Sequence, residues 1–144
     1  MRTKLIIATL FIIFACALQS WLASMSIFID LILATTIVFA FFFDIWELII
    51  FVLFSLFVIN WQPAFSVELV FFALILLIVH GVYKFFGLIP WVAVPIAIVL
   101  GFFVLDLAVA PGVFFSNSVP FLMDMFGGLL FGELVYAVLG RNMP

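Results

Sequence analysis

Apolar positions in this chain fall into long runs, and the polar residues gather at the breaks between them. The runs predict six helices, at about residues 4–21, 27–43, 45–60, 66–80, 88–110 and 119–140. A helix needs about 20 apolar residues to cross a bilayer. The last run, 119–140, meets that length and still carries Asp124 and Glu133.

Residues 27–60 contain few polar interruptions, and as one helix they would be about 51 Å long, well beyond a hydrocarbon core of about 30 Å. This stretch must fold back on itself. The break belongs at Asp44 to Glu47, the paired charges of the run, with Trp46 between them as an interfacial anchor. Asp30, near the entry of the second helix, reads as a first-turn residue favoured by the helix dipole, or as a partner-binding acid. Asn60-Trp61-Gln62-Pro63 is a turn, because proline cannot continue a helix. The fourth helix ends at His80, a helix-end or interfacial residue, and Gly81 to Gly87 form the next connection. Pro95 lies inside the fifth helix, where a kink is expected. The stretch Pro111-Gly112-Val113-Phe114-Phe115-Ser116-Asn117-Ser118 reads as a loop, and Pro120 opens the sixth helix.

Composition places these helices in lipid. The chain is 71% hydrophobic and 8% charged, with too few polar side chains to cover a soluble fold of 144 residues. It reads as a single all-α integral membrane domain, residues 1–144, a bundle of about six transmembrane helices. Four Lys+Arg against seven Asp+Glu give a net charge of -3, without the basic patch that nucleic acid requires. Cys16 and His80 are each single in the sequence, so no disulfide, zinc set or nucleophilic triad can be assembled. No enzyme and no cofactor is expected. With a cytoplasmic start and six spans, Arg2, Lys4, Lys84 and Arg141 all fall on the cytoplasmic side, and both termini are inside, as the positive-inside rule requires. The basic start followed by an apolar run and Ala15-Cys16-Ala17 also fits a cleavable signal peptide, although the apolar remainder favours a retained start-transfer helix.

Candidate chemistry rests on the intramembrane acids and on one glycine pair. Asp106 and Asp124 lie near the outer ends of the fifth and sixth helices, where they are either interfacial or share a proton or cation. Glu133 lies about 21 Å into the sixth helix, where an acid must be protonated, hydrogen-bonded or solvated through a cavity. Gly128 and Gly132, four apart, share one face and let a neighbour approach closely, inside the chain or in a partner. All eight glycines lie at or after Gly81, so the halves are not obvious repeats, and an inverted-repeat transporter is not supported.

Leu18-Gln19-Ser20 closing the first helix, a short outer turn, and Asp30-Leu31-Ile32-Leu33 opening the second resemble the start of the rod-shape-determining membrane protein MreD family. The resemblance covers roughly residues 15–60. It implies a small, multi-pass, non-catalytic scaffold of the bacterial inner membrane. Such a protein binds a bitopic MreC-like partner and helps organise cell-wall elongation, peptidoglycan synthesis and cell shape. Ile29 stands where the family often has proline, and the glycines usual in its third helix are absent between Ile45 and Asn60. The family's arrangement also looks like that of the six-span substrate-binding subunits of energy-coupling-factor vitamin transporters. That alternative expects an outward cavity, for which Asp30, Glu68, Asp106, Asn117 and Asp124 are the polar candidates.

Overall fold

The computed structural model describes residues 2–59, 67–109, 111–116 and 118–142. Among these the chain is all helical: α1 (Arg2–Ser24), α2 (Leu31–Phe42), α3 (Ile45–Ile59), α4 (Val67–Phe86), α5 (Pro90–Val109), the short α6 (Pro111–Ser116) and α7 (Ser118–Asn142). Within α1, α4, α5 and α7 lie the four segments long and apolar enough to cross a membrane, Lys4–Ser24, Leu69–Phe86, Pro90–Val109 and Ser118–Arg141.

The other helices assemble around α2. It has 12 residues, and Leu31 through Phe41 are all buried. A helix can be buried on every side only if it presents no polar group that lacks a partner. The two hydroxyls of α2 meet that condition within the helix itself, Thr35 donating to the Leu31 carbonyl at 2.7 Å and Thr36 to that of Ile32 at 2.8 Å. Helices α1, α3, α4, α5 and α7 all pack against α2. At about 1.5 Å per residue α2 is about 18 Å long, shorter than a hydrocarbon core of about 30 Å, and non-helical chain continues it at both ends.

Contacts along α2 give the direction of each neighbour. Gln19, near the end of α1, meets the start of α2, so these two are antiparallel. Asp124 of α7 meets Asp30, and the Tyr136 ring lies tilted against Phe42 with centroids 5.5 Å apart, so α7 runs parallel to α2. His80 of α4 meets Ala40 near the end of α2. One end of the bundle therefore gathers the start of α1 and the ends of α4 and α7, with Lys4, Lys84 and Arg141; there Lys84 Nζ lies 3.6 Å from Asp44 at an exposed ion pair. Asp30, Asp106 and Asp124 lie at the other end.

Packing differs between the halves. The glycine-free first half locks the α2–α3 hairpin with aromatic rings, Phe39, Phe43 and Phe51 lying 5.0 to 5.3 Å apart by centroid. The second half uses notches: Gly101 of α5 admits Ile37 of α2, whose Cδ1 lies 2.6 Å from where a Cβ would stand.

Several boundaries differ from those the runs suggest. α2 begins at Leu31 rather than 27, because Ser26 takes a left-handed turn (φ 62°) and Asp30 is the N-cap rather than a first-turn residue. α4 continues through His80 and Gly81 to Phe86, where Gly87 (φ 59°) ends it. Its last turns are held by Tyr83 against the Phe41 ring at 4.7 Å and by His80, so tertiary contacts outweigh the cost of Gly81. The stretch expected as a loop before α7 contains α6. The turn at Asn60 to Pro63 lies outside the described residues.

His80 is 6% exposed, a core residue rather than an interfacial one. Its Nδ1 lies 2.9 Å from the Ala40 carbonyl oxygen. A carbonyl only accepts, so Nδ1 carries the proton and donates. Ala40 is among the last four residues of α2, whose carbonyls lack partners within the helix. Replacing His80 by leucine is expected to strand that carbonyl and cost about 1–3 kcal/mol, whereas glutamine, which keeps a donor, retains more stability. Melting of the purified variants in one detergent checks the ranking, and a leucine variant as stable as the parent would refute it.

Candidate functional site

The polar end of the bundle is built around the four backbone N–H groups that the start of any helix leaves without intrahelical partners. Water normally satisfies them. At a buried helix it cannot, so other atoms must.

Each donor here has a partner. The Asp30 N–H donates to Asp124 Oδ1 at 2.6 Å, reaching across 94 residues of sequence. The Leu31 N–H donates to the Ile29 carbonyl at 3.0 Å. The Ile32 N–H donates to Gln19 Oε1 at 3.2 Å, and the Leu33 N–H to Asp30 Oδ1 at 3.0 Å. The last is an N-cap bond from aspartate, for which loss to alanine typically costs about 1 kcal/mol. Helical bonding then begins with Ala34 N–H to the Asp30 carbonyl at 3.3 Å. Two acids beside a helix N-terminus also meet the positive end of its dipole.

Asp106 of α5 joins Asp30 and Asp124 at a cleft of about 260 Å³, whose wall also includes Gln19 and apolar residues of α1 and the α1–α2 turn. Asp106 and Asp30 are both close enough to Asp124 to act on its charge. The arrangement can hold a helix end and concentrate negative potential at one face. Among the described residues no three of His, Cys, Asp and Glu come together as a metal site.

The expected residues thus divide into three places. Asp30, Asp106 and Asp124 are brought together at the polar end. Gly128 and Gly132 face α5, where a Cβ at the first would run into the Phe102 ring and one at the second into Ile98. These notches are filled by side chains rather than by an approaching backbone. Gly127, a third notch, receives Ile29 from the α1–α2 turn, its Cδ1 lying 2.5 Å from a Cβ position. Glu133 stands apart, about 13 Å along α7 from Asp124 at the helical rise; its Oε1 is buried and has no hydrogen-bond partner among the described residues. Of the polar candidates for an outward cavity, Asn117 and the Glu68 side chain lie outside what the structure describes.

Sequence reasoning missed two functional side chains. Gln19 figures there only in the Leu18-Gln19-Ser20 close of the first helix, and His80 as a helix-end or interfacial residue. The signal that could have found them is the polar poverty of α2, which leaves both its ends dependent on neighbours.

Comparison with protein-family models, with curated proteins and with solved structures gives no match.

Proposed function

We propose that this chain is a non-catalytic, multi-pass subunit of the bacterial inner membrane that holds a membrane-anchored partner, as the resemblance to MreD implies, and so helps organise cell-wall elongation and cell shape. The observation that supports it is where the polar groups go. Gln19, Asp30, Asp124 and His80 are engaged with the two ends of α2. Side chains that hold a helix in place serve a rigid scaffold. A proton or cation relay needs titratable groups in sequence along the membrane normal, and Glu133 lies about nine residues, some 13 Å, beyond Asp124.

A six-span topology with both termini cytoplasmic goes with this reading. Lys4, Lys84 and Arg141 gather at one end of the bundle, the bias that sets orientation. Reporter fusions after Arg141 and within residues 112–117 are expected to score cytoplasmic and periplasmic respectively. A periplasm-active reporter after Arg141 would reject the topology.

The second reading, a substrate-binding transporter subunit, is favoured by the acidic cleft of about 260 Å³. One experiment separates the two. In the host, deletion of the gene is expected to round the cells. Glu133→Gln, and Asp106→Asn with Asp124→Asn, are expected to restore shape at matched membrane abundance, because the amides keep an oxygen that accepts a hydrogen bond. A transporter needs the ionisable groups themselves. Normal abundance without rescue would therefore overturn the scaffold in favour of transport.

A further inference from the structure

Among the described residues, a buried carboxyl oxygen of α7 has no donor. Phe126, Leu130, Glu133 and Ala137 are spaced four, three and four residues apart, which puts them on one face of the helix and matches the seam that a second helix packs into. This face turns away from the bundle. Phe126 is 57% and Leu130 74% exposed, while Gly128, Gly132, Val135 and Leu139 on the opposite face are buried. Ala137, also exposed, is small enough for another helix to come close.

Glu133 is the exception in an otherwise apolar stripe. Its Oε1 is shut inside the chain, yet no donor among the described residues reaches it. Tyr136, one turn away, has its ring turned to Phe42. A carboxyl group in hydrocarbon is costly unless it is hydrogen-bonded or paired. The other carboxyl oxygen, Oε2, is not shut in and the residue is only partly covered, so a donor coming from outside the bundle can reach the group through that oxygen.

We propose that the Phe126–Leu130–Glu133–Ala137 stripe is a docking seam for a transmembrane helix of another protein, one that brings a hydroxyl, amide or basic side chain to the depth of Glu133. The inference rests on the reading of the chain as a partner-holding subunit and supplies the chemistry of that partner. A second copy of this chain fits less well. Along the same face it would offer Phe126, Leu130 and Ala137, none with a donor, and its own Glu133 could donate only as the protonated acid.

The test uses the full chain in phosphatidylcholine vesicles, with a donor fluorophore fused after its C-terminus. The probes are two dilute, acceptor-labelled peptides of about 20 residues, long enough to span. One is all leucine between terminal lysines, and the other has one central asparagine. Energy transfer is expected to show the asparagine peptide binding about three- to tenfold more tightly, the range of an interhelical hydrogen bond in lipid. Glu133→Leu, which suits lipid and leaves the buried face untouched, should abolish the preference, and Glu133→Gln should keep part of it. Equal binding of both peptides to the parent chain, or a preference unchanged in Glu133→Leu, would overturn the seam. The vesicles contain no cell-wall protein, so a negative result here leaves the scaffold reading to the rescue experiment.

Discussion

Gly128→Leu and Gly132→Leu are expected to separate α5 from α7 and to lower stability by about 1–3 kcal/mol each, the usual cost of forcing extra methylenes into a packed interior. The two sites should not respond equally to alanine. At Gly128 a Cβ meets three atoms of the Phe102 ring, a flat side chain itself 1% exposed and unable to step aside. At Gly132 the obstacle is Cδ1 of Ile98, the far end of a side chain that can change rotamer. Gly128→Ala should therefore be the worse of the pair. Gly81→Ala is the internal control: nothing stands within 4 Å of its Cβ position, inside α4 and five residues before its end, so the helix should gain about 0.5–1 kcal/mol. Thermal unfolding in a single mild detergent reads the whole series. Leucine variants that melt like the parent would mean that the notches do not hold the bundle together.

Asp124→Leu is expected to be the most damaging single change at the polar end. It removes the acceptor of the Asp30 N–H, a charge-assisted bond of a kind worth about 1.5–3 kcal/mol, and strands that donor at the start of a buried helix. Asp124→Asn keeps an amide oxygen in nearly the same place and should lose much less. Gln19→Leu breaks a neutral, longer bond but strands the Ile32 N–H, and falls toward the lower end of about 1–3 kcal/mol. Amide hydrogen exchange over residues 30–33 gives a local readout. Faster exchange in Asp124→Leu than in Asp124→Asn is the expected order, and identical protection would show that the Asp30 donor finds another partner.

The sequence displays the helical class and the rough position of each helix because the apolar runs are long and their interruptions few. Its limits appear where a tertiary contact decides. Ile27, Phe28 and Ile29 look like the first turn of a helix, and only the left-handed Ser26 and the N-cap geometry of Asp30 exclude them. Gly81 looks like a helix end, yet Phe41 and Ala40, forty residues away, hold the chain helical past it. At the polar end, depth alone suggested that Asp106 and Asp124 lie near one another, and they share a cleft. That Asp124 serves the backbone of Asp30 was not legible, because no local pattern links residues 94 apart. Glu133 was legible as a deep acid from its place in the run. Whether a donor from within the chain would reach it depends on packing, which a run of apolar letters does not encode.

The clamp on α2 also sets a timetable for the chain's biogenesis. Asp30 leaves the ribosome 94 residues ahead of Asp124, an interval of about 5–20 s at ordinary synthesis rates of about 5–20 residues per second. His80 arrives 40 residues after Ala40. Until those partners emerge, the Asp30 N–H and the Ala40 carbonyl depend on water or headgroups, whereas Gln19 and Asp30 are already there for Ile32 and Leu33. The full set of partners around α2 is therefore complete only once α7 has been made. The core of this protein closes from its C-terminal end.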